Sequence, residues 1–309
     1  MLTIFCSPKP FKDETDWNQR NAMRSWKAIH RDVEIFIFGA PPGAVEATAE
    51  VNAVLVPEVE CSPSGAPSFN AMEMYVSEHG KHDLQLYVNS DILLDVSMVK
   101  AMLTSYSHFE KFLLIGERCD LPQGITIDVR NPAWIDFLPP MAKNKQLVLH
   151  GPTGVDYFGF VRGMWADLGQ VYMGRALCDQ ALLHYCLNQE VPIIDSTQVV
   201  VAVHQFHDYM HVQGGKQEVF FGYDRDTMAR EHQLAHSLPI ITDANWRFRK
   251  EGIIIQNRRR RLRHWELVLR YRYRLKYLAH FLRVLQYLGG KKNLNPKTIS
   301  INDLLDSWH

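Results

Sequence analysis

The feature that most constrains this chain is a repeated switch of hydrophobic period over its first hundred residues. Leu2 to Cys6, Val33 to Phe38, Ala53 to Val56 and Leu84 to Val88 are short apolar runs rich in β-branched and aromatic residues. Between them lie stretches with apolar residues at helical spacing, Trp17 to Ile29, Val45 to Val51 and Phe69 to Glu78. Strands buried on both faces read as continuous apolar runs, and helices between them read with period 3.6, so the pattern predicts an α/β fold with a mostly parallel sheet flanked by helices. The turn Ser7-Pro8-Lys9-Pro10 and the loop Ser62 to Pro67 punctuate the pattern.

The same alternation predicts a helix over Val96 to Tyr106, a strand over Phe112 to Gly116, a strand over Val155 to Val161, a helix from Ala176 to Asn188, and strands over Val191 to Ile194 and Val199 to Val203. Cys119 to Gln146 reads as a loop-rich insertion with Pro122, Pro132, Pro139 and Pro140. From Ile253 to Leu288 there is neither glycine nor proline, and Leu262, Trp265, Leu269, Tyr273, Tyr277, Phe281, Val284 and Leu288 recur every three or four residues. That spacing predicts one long helix. Arg270 to Tyr277 also alternates with period two, but the length of the segment favours the helix.

The chain has 309 residues with 34 basic and 34 acidic groups, and this zero balance hides a division. Residues 1–245 hold 18 Lys+Arg against 30 Asp+Glu, whereas residues 246–292 hold 15 against 2. The expected organisation is an acidic α/β domain over 1–245 and a basic amphipathic helical extension over 246–309. No run of some 18 apolar residues exists, and Leu2 to Cys6 is short for a signal peptide, so the expectation is a cytoplasmic protein. Cys6, Cys61, Cys119, Cys178 and Cys186 form no Cys-x-x-Cys pair and read as reduced thiols.

Four places carry chemistry-bearing side chains. Asn89-Ser90-Asp91 follows the fourth strand, and the carboxyl ends of strands are where open α/β sheets bind ligands. Asp91 is a candidate ligand for a hard divalent cation, which needs only one or two protein carboxylates beside diphosphate oxygens and water. The same residue types also serve as ordinary caps and turns. His204, His207 and His211 fall within eight residues after a β-branched run, a density that suits metal or phosphate binding. Gly174 to Gln180 places Asp179 in the first turn of a helix, either stabilised by the helix dipole or serving as a general base. Upstream, Asp156 and Tyr157 enter a strand from the turn His150 to Gly154 and are available to sugar hydroxyls or to the turn itself.

Taken together, Ile4-Phe5-Cys6-Ser7-Pro8-Lys9-Pro10-Phe11, Arg20-Asn21-Ala22-Met23-Arg24-Ser25-Trp26, Tyr87 to Leu94, Pro152 to Phe158 and His204 to Tyr209 resemble a glycosyltransferase of the GT-A fold, close to the family-2-like bacterial enzymes. The resemblance covers about residues 1–215. It implies a Rossmann-like sheet and transfer of a sugar from a nucleoside-diphosphate donor to a hydroxyl of a glycan or lipid-linked acceptor. By that resemblance Ser7, Pro8, Lys9, Arg20, Asn21, Ser68 and Asn89 border the donor. Asp91, with His204 or His207, holds Mn²⁺ or Mg²⁺; Asp156 and Tyr157 meet the sugar or acceptor, and Asp179 takes the place of the catalytic carboxylate. One position departs from the usual Asp-x-Asp metal motif: its first member is Asn89, which lacks charge. A sugar-phosphate nucleotidyltransferase and an inactive binding protein on the same fold remain as alternatives.

The basic segment lies outside the resemblance. Over residues 258–288 it suits an anionic membrane surface, placing the enzyme peripherally on the inner face of the membrane near lipid-linked acceptors. Arginine beside aromatics also suits nucleic acid, although nucleic acid is not among the expected partners. A third reading docks the apolar side of the helix on the acidic body.

Overall fold

The computed structural model describes residues 1–206, 215–234, 238–257, 261–271 and 273–289. A nine-stranded sheet forms its centre. The strands are β1 (Leu2–Cys6), β2 (Val33–Phe38), β3 (Val54–Val56), β4 (Leu84–Val88), β6 (Leu113–Ile115), β9 (Tyr157–Val161), β10 (Ile193–Asp195), β12 (Trp246–Phe248) and β13 (Ile254–Gln256), in the order β13-β12-β10-β6-β9-β4-β1-β2-β3. Seven run parallel; β9 is antiparallel to both β4 and β6, and β13 is antiparallel to β12. This is the α/β fold with a mostly parallel sheet expected from the period switches.

Both faces of the central strands are buried, which is why those strands read as mostly apolar runs. Leu2, Ile4 and Cys6 of β1, with Val33, Ile35 and Ile37 of β2, pack into one core beneath α1 (Asp13–Ile29), α2 (Ala44–Glu50) and α4 (Val96–His108). Phe5, Phe36, Phe38 and Tyr87 point the other way, into a core under α3 (Phe69–His79) and α6 (Cys178–Asn188). Alternation with period two thus divides one apolar run between two cores. Trp26 of α1 is fully buried, and its indole N–H donates to the Ile92 carbonyl at 2.8 Å.

A second, four-stranded sheet continues from the strand ends of the first. It contains β5 (Ile92–Leu94), β7 (Cys119–Asp120), β8 (Val148–Leu149) and β11 (Ala202–His204) in the order β5-β11-β7-β8. The runs Val191 to Ile194 and Val199 to Val203 therefore fall in different sheets: β10 joins the large one and β11 the small one. The Cys119 to Gln146 insertion is more ordered than its prolines imply. It holds β7, a 3-10 turn over Trp134–Phe137 and α5 (Leu138–Lys143), whose first turn accepts Pro139 and Pro140 because those positions lack intrahelical N–H partners. It also forms an open groove between Thr126, Asn131, Phe137, Pro140 and Gln146.

Two expectations about the carboxyl-terminal part are corrected. The sheet runs past residue 245, since β12 pairs with β10 and β13 with β12. The predicted single helix is replaced by β13, α9 (Arg261–Tyr271) and α10 (Lys276–Gly289). Between the two helices Arg274 adopts φ 54°, a left-handed conformation that breaks the α-helix without glycine or proline. Helix α9 lies against α6 and buries Glu266, Leu267 and Val268. Helices α7 (Gly215–Phe221) and α8 (Tyr223–Glu231) complete the described chain. Among the described residues no helix is long and apolar enough to cross a membrane, and all five cysteines are free thiols.

Candidate functional site

Parallel strands deliver their carboxyl ends to one edge of the sheet, and β9, running the other way, brings its start to that same edge. Four chain segments therefore meet there: Ser7 to Lys9 after β1, Asn89 to Asp91 after β4, Gly116 to Asp120 after β6, and Asp156 before β9. The backbone joins two of them directly, since Asn89 N–H donates to the Asp156 carbonyl at 2.9 Å.

Asp91 is buried, and its Oδ2 lies 2.8 Å from Lys9 Nζ. Buried Gln19 of α1 holds Lys9 at both backbone polar atoms: Oε1 accepts from Lys9 N–H at 2.7 Å and Nε2 donates to the Lys9 carbonyl at 2.9 Å. The same Oε1 accepts from Ser90 Oγ–H at 2.8 Å. Asn89 Nδ2 donates to Asp156 Oδ1 at 2.7 Å. The other Asp156 oxygen is bonded to Arg118, which also reaches Asp120 Oδ1 at 2.8 Å. Asp120 further contacts His150 Nδ1 at 2.6 Å and His204 Nδ1 at 3.3 Å.

Electrostatics follow from this arrangement. Burial disfavours the Arg118 charge, but Asp156 and Asp120 outweigh it and hold the guanidinium protonated above its ordinary range. Burial also works against the Asp120 charge, yet His150, His204 and Arg118 hold that carboxyl well below the usual range. Glu117 goes the other way: burial, reinforced by Asp195, pushes it up to about 7. Asp179, in the first turn of α6, is half-buried and pushed up to about 7 by burial, with Asp156 adding repulsion against backbone hydrogen bonding that lowers it. Leu177, at the N-cap of α6, carries φ 78°. A non-glycine residue in that region stores backbone strain, and here the strain sits two residues before Asp179.

The structure brings Lys9, Asn89, Asp91, Asp156 and Asp179 to one edge. Ser7 stands beside them with its hydroxyl donating to the Phe38 carbonyl at 3.0 Å, and Pro8 lies between Ser7 and Lys9. Other expected residues are engaged elsewhere. Arg20 is held by Asp16 and Glu50, which pin it between α1 and α2 rather than toward a donor. Asn21 is fully buried and ties α1 to the insertion and to Gln205, through Ile127 O at 2.6 Å and Gln205 Oε1 at 2.9 Å. Ser68 is fully buried as the N-cap of α3, its Oγ accepting from Ala71 N–H at 3.3 Å. Tyr157 is also fully buried, 2.9 Å from Ser196 Oγ, so it belongs to the core rather than to an acceptor site. Its phenol passes so close to Gly116 that a Cβ there would collide with it.

Among the described residues no three His, Cys, Asp or Glu groups converge to hold an ion. The Asp91 carboxylate is paired with Lys9, the Asn89 amide nitrogen is turned to Asp156, and His204 is turned to Asp120. Each of these donors is engaged within the protein, and Asp91 and His204 have further partners there as well. His207, with Asp208 and His211, lies outside the described residues. Sequence reasoning missed Arg118, Glu117 and Asp120, although they follow a predicted strand just as Asn89 to Asp91 do.

No protein-family model matches the chain, and no curated protein matches it. Solved structures to which it is similar include complexes with UDP or UDP-GlcNAc. Residues 1–349 of S. aureus TarS in complex with UDP-GlcNAc align over 99% of this chain and 79% of that one, at 11% identity and a TM-score of 0.47. In the complex of the same protein with UDP, the match covers 41% of this chain and only 37% of that chain, at 12% identity and a TM-score of 0.30. Glucosyl-3-phosphoglycerate synthase from Mycobacterium tuberculosis, crystallised with Mn²⁺, UDP and phosphoglyceric acid, aligns over 67% of this chain and 71% of that one, at 12% identity and a TM-score of 0.43.

Proposed function

We propose that this chain is a GT-A glycosyltransferase, moving a sugar from a nucleoside-diphosphate donor to an acceptor hydroxyl. The observation that carries the reading is Asp179: a half-buried carboxylate pushed up to about 7, on a helix start at the strand-end edge that also holds Asp156 and the Lys9–Asp91 pair. A base poised near neutral pH is what deprotonation of a hydroxyl requires.

In this reading Asp179 takes the acceptor proton, the acceptor oxygen attacks the anomeric carbon, and the bond from that carbon to the diphosphate oxygen breaks. The nucleoside diphosphate leaves with the bonding electrons, and displacement from the opposite face inverts the anomeric centre. Asp156, fixed by Arg118 and Asn89, is placed to accept hydrogen bonds from sugar hydroxyls. No step here is assigned to a metal.

The acceptor is read from the C-terminal helices. Tyr277, Leu278, Phe281, Val284 and Leu285 of α10 are exposed, within a segment that carries 15 basic residues against 2 acidic ones. Apolar residues beside cations suit an anionic membrane, and a lipid-linked acceptor would be met there.

A thermal-shift panel of sugar nucleotides tests the donor, because binding to the native state raises apparent stability. Product analysis then decides the reaction. Release of nucleoside diphosphate with glycosylated acceptor is expected; release of pyrophosphate marks a nucleotidyltransferase, and no turnover with any donor marks a binding protein.

A further inference from the structure

We infer that Asp224 is a positioning residue for Asp179: through Arg175 it fixes the start of α6, on which that carboxylate stands. The inference rests on the reading of Asp179 as the base and deepens it. Three observations carry it.

The first is a buried charge pair. Asp224, in the first turn of α8, is fully buried, and its Oδ2 lies 3.3 Å from Nε of Arg175, whose side chain is 7% exposed. The same oxygen accepts from Ser62 Oγ–H at 2.8 Å and from the Ser64 hydroxyl. Arg175 Nη2 in turn reaches the Ser64 carbonyl at 3.4 Å and its hydroxyl at 3.3 Å. The loop after β3, the chain entering α6 and the first turn of α8 therefore close on one carboxylate. Buried ion pairs add little to stability, and among the described residues Asp224 Oδ1 is buried without a hydrogen bond, which takes some away. What the pair supplies is a fixed relation between three distant segments.

The second is how α6 begins. Leu177 occupies its N-cap at φ 78° with no side-chain cap hydrogen bond, whereas Ser68 and Asp95 cap α3 and α4 with their side chains. A strained backbone persists only where its surroundings over-determine it. Here the surroundings are α7 and α8: Ala176 N–H donates to the Val219 carbonyl of α7 at 2.9 Å, and the neighbouring Arg175 is held by Asp224.

The third is reach. Asp179 lies four residues after Arg175, in the first turn of α6, so any shift of the helix start carries its carboxylate along. Its affinity for a proton comes from burial, reinforced by Asp156, which faces it from the start of β9. A catalytic group displaced by about 1 Å can lose about a hundredfold in rate.

The test compares the full chain as wild type, Asp224→Asn, Asp179→Asn and the double variant, with circular dichroism to check folding. Release of nucleoside diphosphate from UDP-glucose, UDP-GlcNAc, GDP-mannose and dTDP-glucose, with water as acceptor, is followed across neutral pH. Asp224→Asn is expected to lower kcat roughly tenfold or more, to move the midpoint of its pH profile below about 7, and to leave KM for the donor within about twofold. Arg175→Lys, which keeps the charge, should retain more of kcat than Arg175→Ala. In the double variant the Asp224 change should add nothing to the loss from Asp179→Asn, because both act through one group. Melting curves give a reading that needs no turnover: the pH-dependent difference in Tm between Asp179 and Asp179→Asn proteins should shrink when residue 224 is Asn. If Asp224→Asn does not fold, Ser64→Ala, which removes one hydroxyl from the same oxygen, replaces it in the cycle. Losses that multiply in the double variant, or an unchanged pH midpoint with an unchanged melting difference, overturn the inference and leave the transferase reading standing. No turnover with any donor, beside a melting difference that shrinks as expected, overturns the transferase reading and leaves the positioning of Asp179. No turnover and an unchanged melting difference overturn both.

Discussion

At the carboxyl edge of the sheet, Arg118 contacts Asp156, Asp120 and His150, and neither carboxylate is more than a third exposed. On α10 the situation is reversed: Tyr277 is 94% exposed and Phe281 56%, with Arg283 also at the surface. The first region spends its charges on one another, so removing any one of them leaves a buried partner uncompensated. The second directs cations and apolar groups outward, so its side chains contribute little to the fold and are available to a surface. Identical residue types, arginine and aromatics, therefore have opposite meanings in the two places, and burial decides which.

Breaking the first region should have the larger effects. Asp179→Asn is expected to lower kcat about 10²- to 10⁴-fold, the range for loss of a general base, while leaving nucleotide affinity within about twofold; calorimetry beside an initial-rate assay separates the two. Undiminished turnover in that variant removes Asp179 from the mechanism.

Arg118→Ala should destabilise the protein by roughly 3 kcal/mol, because Asp156 and Asp120 lose their shared partner in a mostly buried setting. Chemical denaturation measures this, and a midpoint unchanged from the wild type would show the cluster to be solvated.

The pH dependence sharpens the comparison further. If Asp179 acts as a base, kcat rises as pH passes about 7, where its carboxyl ionises. Stability moves oppositely. A carboxyl raised in the folded state binds its proton more tightly there than in the unfolded chain, so its contribution is complete below pH about 4 and is lost as pH climbs through about 7. Glu117, also pushed up to about 7, adds to the same slope. Asp179→Asn and Glu117→Gln should each flatten the stability profile over that window in pH-dependent melts.

The smallest effect on the fold is expected from the second region. Replacing Phe281 and Leu285 by aspartate should change stability by less than about 0.5 kcal/mol, as for surface positions generally, and leave turnover on a soluble acceptor intact. Co-sedimentation with anionic vesicles should be lost. Retention of vesicle binding in that variant would assign the membrane contact elsewhere.

Strands β1, β2 and β4 were legible because they are buried on both faces, leaving apolar runs such as Ile35 to Phe38, whereas β3, at the sheet edge, shows through its valines and leucine. Strand β13 was not. It overlaps the isoleucines that open the predicted helix, and pairing with β12, a tertiary fact, makes it a strand. The break at Arg274 carries no glycine or proline to mark it. The places of Asp91 after a strand and of Asp179 at a helix start were legible because strand ends and helix starts can be located from hydrophobic period. Asn21, Ser68 and Tyr157 were misassigned for a different reason. Their polar atoms serve interior hydrogen bonds, and sequence does not distinguish a polar group that faces a ligand from one that faces a backbone carbonyl across 106 residues, as Asn21 does with Ile127. Arg118 went unnoticed although the strand before it was legible, because nothing in the sequence pairs it with Asp156, 38 residues away.

The reversed direction of β9 has a consequence for how such a protein can change over generations. An all-parallel sheet places only departing loops at its carboxyl edge, whereas here an arriving segment, ending in Asp156, meets departing segments after β1, β4 and β6. These four loops are separate in the chain and anchored by different strands. Each can lengthen or exchange residues while the strands that anchor it keep their register. Ligand preference can thus drift one loop at a time on an unchanged frame.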